Sequence, residues 1–279
     1  MALKDILVVL FGDDGDQHVI ASVDAMAIFT QAHVAATLVA PIPDPVFVGD
    51  MMGGGLALGD FITSVREEAT GSQENIRLAL ARTNLGFEQR LVMAQTLTAC
   101  DLIVTQARHV DLTVMARPAK DSSGFRHELL EAVLMGSGRP LLLLPQGWKT
   151  DGRVQTVFVA WNAGREAARA IGDASPWLDA ASKIVIGTVD AKPGPRGHGE
   201  APGVDIATHL ARHGNAVELR NIDSLGAATG EAILEAAEAA GADLIVVGGF
   251  GHPRLQQALF GGVTRTIVES SKVPLLMSH

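Results

Sequence analysis

The sequence predicts an α/β protein built from two tandem doubly wound domains, each with a five-stranded parallel sheet. Short apolar runs such as ILVVL, LLLL and LIVV alternate with alanine-rich helical stretches, and continuous apolar runs are typical of strands buried on both faces. The same order of motifs also occurs twice along the chain. Alternating strands and helices imply right-handed crossovers and a sheet covered by helices on both sides.

The internal repeat is visible in four pairs of segments. DILVVLFG at 5–12 corresponds to QTVFVAWN at 155–162, and AATLV to VIGTV; DLTVMA corresponds to DLIVVG, and RPLLLLP to VPLLMSH. We therefore predict domains at residues 1–147 and 148–279, with the linker PQGWKTDGR at 145–153. The last strand of each copy is apolar, and we expect the two to pair because bare apolar edges promote aggregation.

The individual elements follow from the same patterns. In the second copy we predict strands at 156–161, 183–189, 216–221, 244–248 and 273–277, and a helix over GEAILEAAEAAGA at 230–242. The proline- and glycine-rich stretch at 41–60 is predicted to be a long loop, either a mobile flap that covers a ligand or a partner groove, or an ordinary surface connection. GSG at 136–138 is predicted to end a helix.

Composition limits the classes of function. The chain has 279 residues, 47% of them hydrophobic, yet no run approaches the roughly 20 apolar residues of a membrane span. The net charge of −9 and the lack of a basic stripe with aromatics argue against a nucleic-acid partner. The single cysteine, Cys100, fits a reducing compartment and a core position in a helix. Because no basic leader precedes the first strand, we expect a cytoplasmic protein.

The glycines after DLIVVG require an explanation other than regular structure. They are followed by the short helical segment VTRTIVES. Glycines allow left-handed backbone and close approach of amide groups to an anion, and a helix N-terminus favours phosphate. The candidate anion-binding glycines are Gly248, Gly249, Gly251, Gly261 and Gly262. His252 and Arg254 lie within the same segment and can reach phosphate oxygens or remain exposed.

The pattern of glycine, two residues, glycine, nine residues, glycine closely resembles the nucleotide-binding signature of the universal stress protein family. VAWNAGREAARA, GADLIVVGGFGHPRL and FGGVTRTIVESSKVPLLMSH resemble three blocks of that family, and the resemblance covers nearly the whole chain as a tandem pair. It implies a Rossmann-like fold that binds ATP or AMP, with or without Mg²⁺, as a ligand. The resemblance assigns the adenosine end to Asn162 and Val189. It assigns the phosphates to Gly248, Gly251, Gly261, Gly262 and Val263.

Two residues depart from the family pattern. Asn162 stands where the family has aspartate, and Gly262 stands where it has serine or threonine; Thr264 offers a partial replacement for the missing hydroxyl. The first copy lacks the glycine signature. A helix carrying His209 and His213 has a spacing that can bind zinc, but no third ligand is evident, and we predict no metal site.

Three hypotheses follow for the function. The first is a stress-response regulatory protein that binds an adenine nucleotide in its C-terminal domain; the second is a nucleotide-free interaction scaffold; the third is a slow nucleotide hydrolase. Related α/β nucleotide-binding folds transfer adenylyl groups with a serine- and glycine-rich loop or a paired-histidine motif after the first strand. The corresponding turn here, AWNAGRE, contains neither motif, so no catalytic residue is assigned. We expect a homodimer and a protein partner that the sequence does not identify.

Overall fold

A computed structural model describes residues 3–26, 29, 31–42, 55–119, 124–148, 152–194, 197–249 and 261–279. The N-terminal half, up to Leu144, runs β1 (Asp5–Leu10), α1 (Gly15–Ala25), β2 (His33–Ile42), α2 (Gly55–Leu80), β3 (Gly86–Gln95), α3 (Thr96–Ala107), β4 (Leu112–Ala116), α4 (Gly124–Gly136) and β5 (Leu141–Leu144). The C-terminal half runs β6 (Thr156–Ala160), α5 (Arg165–Asp173), α6 (Ser175–Ala180), β7 (Lys183–Val189), α7 (Val204–Arg212), β8 (Val217–Ile222), α8 (Thr229–Ala239), β9 (Leu244–Gly248), α9 (Gly262–Ser270) and β10 (Leu275–Ser278).

All ten strands belong to one sheet in the order β3-β2-β1-β4-β5-β10-β9-β6-β7-β8. Pairing is parallel within each half, and β5 and β10 join the halves antiparallel, with Leu276 opposite Leu142. The predicted pairing of the two closing strands is therefore confirmed. Because the halves run in opposite directions, the carboxyl ends of the C-terminal strands lie on the same edge as the amino ends of the N-terminal strands.

The core is divided by the sheet and shared by the halves. Side chains alternate between the two faces, so that Ile6 and Val8 belong to one buried cluster and Leu7 and Val9 to the other. Each cluster contains residues of both halves. This continuity is typical of strands buried on both faces, as the apolar runs predict.

One carboxylate has the same role in both copies of the repeat. Asp111 Oδ2 accepts hydrogen bonds from the amides of Lys4 and Asp5, at 2.8 and 3.1 Å. Asp243 Oδ2 accepts from the amides of Gln155 and Thr156, both at 2.9 Å. Each aspartate thus ties the strand that it precedes, β4 or β9, to the start of the neighbouring strand. This explains why the repeat keeps DL at both places.

Several boundaries differ from the sequence prediction. The predicted loop at 41–60 is wrong at both ends, because β2 extends to Ile42 and α2 begins at Gly55; residues 43–54 lie outside the described part. The last strand is Leu275–Ser278 rather than 273–277, and α8 ends at Ala239. Propensity does not fix element ends to better than a few residues.

Two further predictions are confirmed. Cys100 is a core residue of α3, 5% exposed. Helix α4 ends at Gly136, and Gly138 then takes a positive φ of 66°, as the predicted glycine end requires. Among the described residues, no helix is both long and apolar enough to cross a membrane.

Candidate functional site

The C-terminal half has a reversal of strand order at β6, which lies between β7 and β9. In open α/β sheets, ligands bind beyond the carboxyl ends of the strands at such a reversal. The turn after β6 contains Asn162, and β9 ends at Gly248. The described chain resumes at Gly261, immediately before α9.

Helix α9 presents its N-terminus without a side-chain cap. Gly261 is the N-cap residue, and its carbonyl accepts the first helical hydrogen bond from the Arg265 amide at 3.0 Å. The amides of Gly262, Val263 and Thr264 precede that bond and have no acceptor within the helix. The first two of these residues are exposed, whereas Thr264 is 8% exposed. No described residue accepts a hydrogen bond from these amides, so the helix end offers them and its positive dipole end to an anion.

Neither glycine at the start of α9 is required by the local fold. Gly261 has a φ of −61°, and Gly262 is helical, so neither adopts the left-handed backbone that favours glycine. No described residue lies within 4 Å of the position that a Cβ would take at either place. What these glycines leave open is the surface around the first amides of the helix.

At Gly248, by contrast, close packing of a neighbouring helix explains why the residue is a glycine. A Cβ at this residue would lie 2.4 Å from the amide nitrogen of Ala167 and 2.6 Å from the carbonyl carbon of Glu166. Both atoms belong to the backbone of α5, which therefore passes directly over the end of β9. Gly248 does not use the left-handed backbone that a glycine allows, and this close helix–strand contact accounts for the glycine.

Gly249 is already engaged with the last strand. Its amide donates to the Ser278 carbonyl at 2.8 Å, and its carbonyl is 3.1 Å from His279 Nδ1. Gly249 does not adopt a left-handed backbone either. The Gly249 amide is thus used to extend the pairing of β9 with β10. Gly251, His252 and Arg254 lie outside the described residues.

The turn after β6 is held by Asn162. Its Oδ1 accepts a hydrogen bond from the Gly164 amide at 2.9 Å, and Ala163 between them has a φ of 59°. An aspartate could accept the same bond, so the asparagine preserves the local turn. Glu166, the second residue of α5, is 5% exposed. Its Oε1 accepts a hydrogen bond from Arg165 Nε at 2.5 Å. Burial would raise the pKa of this carboxyl, but the hydrogen bonds from Arg165 and from its own amide outweigh burial and lower it.

Val189 ends β7 and is half-buried at the same edge. The next residue, Asp190, has a φ of 49° and accepts a hydrogen bond from the Ser224 amide at 3.0 Å. Leu225 has a φ of 51° and is 90% exposed. With Ala163, these are the described non-glycine residues with positive φ, and all follow β6, β7 or β8. Sequence analysis missed Glu166 and these conformations, because side-chain identity alone does not reveal them.

The corresponding crevice of the N-terminal half is filled by its own side chains. Arg126 of α4 forms an ion pair with Asp13 and lies over the ring of Phe11, 4.3 Å from its centre. Phe125 packs edge-on against Phe11, with ring centres 6.4 Å apart. Phe11 directly follows β1, and Phe125 and Arg126 belong to the first turn of α4, so these contacts join the end of β1 to the start of α4.

A buried carboxylate closes the turn after β1. Asp16 is 4% exposed and accepts hydrogen bonds from the amides of Phe11 and Gly12, at 2.9 and 2.7 Å. Burial raises its pKa to about 6. The remaining cavity beside the turn has a volume of about 80 Å³ and is lined by Asp13 and Asp14 as well as Asp16. It is small for a nucleotide, and its carboxylates repel phosphate.

His209 and His213 lie near the end of α7, with ring centres 4.9 Å apart. Within the described ranges, no three histidine, cysteine or acidic residues come together in a group that could hold a metal ion.

Comparison with known proteins agrees with this architecture. Residues 182–279 match the model of the universal stress protein family. A universal stress protein from Archaeoglobus fulgidus DSM 4304 aligns with 98% of this chain and 95% of its own, at a TM-score of 0.71 and 15% identity. A functionally unknown protein from Pseudomonas aeruginosa PAO1 aligns with 99% of this chain and 92% of its own, at a TM-score of 0.57 and 14% identity. The search of curated sequences finds no match.

At sequence identities of 14–15%, the structural matches support the fold alone. The family model matches the C-terminal region only. Residues 182–279 thus match the universal stress protein family model, and the chain shares its fold along nearly its full length with a solved universal stress protein.

Proposed function

We propose that the C-terminal half binds an adenine nucleotide, ATP or AMP, and that binding regulates a stress response. The observation that carries this proposal is the open N-terminus of α9 beside the strand reversal. Its first amides have no acceptor among the described residues, and glycines stand at Gly261 and Gly262 where neither backbone conformation nor packing against described residues requires them. Phosphate is the ligand that such a helix end favours.

The proposed roles divide the site into two ends. The phosphates accept hydrogen bonds from the amides of Gly262, Val263 and Thr264, and Gly251, His252 and Arg254 complete this end from the adjoining segment. Asn162 and Val189 border the adenosine end. Gly248 and Gly249 support the site through packing and strand pairing rather than as phosphate donors. Mg²⁺ is proposed to bind only together with ATP and not at a separate site of the protein.

The stoichiometry of the proposal is one nucleotide per chain. The N-terminal crevice is filled by Phe11, Phe125 and Arg126, and its remaining cavity is acidic. We propose that the halves correspond to domains 1–147 and 148–279, of which only the second binds ligand. We also propose a homodimer, for which light scattering should give twice the chain mass at micromolar concentrations.

A direct experiment compares the protein as purified with the protein after ligand removal. Native mass spectrometry and the absorbance ratio at 260 and 280 nm should reveal co-purified nucleotide, and calorimetric titration of the stripped protein should give one ATP or AMP per chain. No bound nucleotide and no heat with either ligand would contradict the proposal.

The alternative function is a nucleotide-free interaction scaffold. It is favoured by the packing of Gly248 against α5 and by the engaged amide of Gly249, which account for two of the glycines without a ligand. The same titration separates the two functions, because a scaffold keeps its fold and partners when no nucleotide binds.

A further inference from the structure

A cavity of about 450 Å³ lies where the two halves meet, on the edge that also carries the proposed nucleotide site. We call it the junction cavity. Its N-terminal wall contains Leu3, Asp111, Arg139 and Pro140, and its C-terminal wall is formed by α5 and the start of α6. The volume lies within the range of small-molecule sites, and such sites occur preferentially between domains.

Three of the four charged groups in the junction cavity are already satisfied by the protein. Asp111 accepts two backbone hydrogen bonds at the start of β1. Asp173 Oδ2 accepts from Arg169 Nε at 2.8 Å and from the Ser278 hydroxyl at 2.9 Å. Arg169 also donates to the Gly138 carbonyl at 3.2 Å. These bonds satisfy the acceptors of both carboxylates; Arg169 also balances the charge of Asp173, whereas Asp111 keeps its negative charge.

Arg139 differs from these groups. Its backbone amide donates to the Ser137 hydroxyl at 3.1 Å, so its main chain is fixed just before β5. Its guanidinium makes no hydrogen bond or ion pair with any described residue. A guanidinium presents paired donors that match a carboxylate or a phosphate. Arg139, an exposed residue, is therefore the one charged side chain lining the junction cavity that has no hydrogen-bond or ion-pair partner among the described residues.

Gly172 supplies an independent indication that the space is kept open. This residue lies in α5 and lines the junction cavity, and no described atom lies within 4 Å of the position of an added Cβ. A glycine in a helix costs about 1 kcal/mol relative to alanine. Gly172 is exposed and packing against neighbouring elements does not require a glycine there, so a larger side chain at this position would project into the open space of the cavity.

We propose that the junction cavity binds a small organic anion, with its carboxylate or phosphate group on Arg139 and its carbon skeleton against Leu3, Pro140, Ala168 and Gly172. The two head groups share the chemistry that a guanidinium recognises. This inference is independent of nucleotide binding, because the residues that carry it lie outside the proposed nucleotide site.

The test uses succinate and inorganic phosphate as probes, each titrated into the full-length protein and followed by amide chemical shifts in NMR. We expect one probe to shift signals of residues lining the junction cavity and to bind more tightly than the other, which identifies the head group. Arg139→Met should weaken that binding about tenfold or more, the effect of losing a charge-assisted pair of hydrogen bonds.

Two further variants separate the cavity from general surface charge. Gly172→Leu fills the space without removing any charge and should also weaken binding about tenfold or more. Arg82→Met removes an exposed arginine that does not line the cavity and should leave affinity within about twofold. Should Arg139→Met fail to fold, Gly172→Leu still decides.

Three results would overturn the proposal. One is the absence of binding by either probe up to the order of 10 mM. Another is unchanged affinity in Gly172→Leu, which would place the anion outside the cavity. The third is equal loss in Arg82→Met and Arg139→Met, which would show attraction by net charge alone.

Discussion

Replacing Gly248 with alanine tests the division of the glycines into packing residues and ligand-facing residues. The new Cβ would lie 2.4 Å from the Ala167 amide nitrogen and 2.6 Å from the Glu166 carbonyl carbon. Ordinary contact needs about 3.5 Å, so α5 and β9 must separate by roughly 1 Å. Both clashing atoms belong to the backbone, and no rotamer change relieves them. Overpacking of this kind costs about 1–3 kcal/mol.

The matched control is Gly262→Ala, which adds the same methyl group where no described atom lies within 4 Å. Urea titrations followed by circular dichroism should show a free energy of unfolding lower by about 1–3 kcal/mol for Gly248→Ala. For Gly262→Ala it should be unchanged or raised by up to about 1 kcal/mol, because alanine favours the helix. Equal stability of Gly248→Ala and the unmodified protein would refute the packing role of Gly248.

Three other predictions concern stability and reactivity. Burial raises the pKa of Asp16 from 3.8 to about 6, so its contribution to stability is complete below pH 3.8 and is lost as the pH rises through 6. Urea titrations at pH 4 and 7 should therefore show the stability of the unmodified protein falling by about 2 kcal/mol relative to Asp16→Asn, and parallel changes would contradict this. Asp111→Ala and Asp243→Ala each remove two backbone hydrogen bonds to a carboxylate and should lower stability by similar amounts, about 1.5–3 kcal/mol, whereas an effect in only one variant would dispute the equivalence of the repeats. Cys100 is buried and its pKa is raised to about 11, so iodoacetamide at pH 7.5 should add no mass to the folded protein and one adduct after unfolding.

The sequence was sufficient for the architecture because hydrophobic periodicity and repetition are properties of the chain itself. Runs such as LLLL and LIVV become strands buried on both faces, and the paired DL motifs become equivalent anchors at Asp111 and Asp243. Pairing of β5 with β10 also followed from the sequence, since both strands are apolar and would otherwise form bare edges.

The role of each glycine could not be obtained in the same way. A glycine in the sequence indicates bare backbone without indicating what approaches it. At Gly248 a helix of the same half approaches, and at Gly249 the last strand takes the amide; both contacts depend on tertiary structure. The filled N-terminal crevice likewise depends on Arg126, Phe11 and Asp13 meeting from different elements. Contacts between residues so far apart along the chain cannot be read from the sequence alone.

Calorimetric titration of ATP into the unmodified protein, Gly261→Val and Gly262→Ser tests the nucleotide proposal most directly. We expect one ATP per chain, loss of binding in Gly261→Val with stability lowered by no more than about 1 kcal/mol at this N-cap position, and an affinity up to about tenfold higher in Gly262→Ser, where the new hydroxyl can donate to phosphate. The φ of −61° at Gly261 accommodates valine, so that variant tests access to the helix end rather than backbone strain. Unchanged ATP affinity in a folded Gly261→Val protein would contradict phosphate binding at α9 and leave the scaffold as the better account.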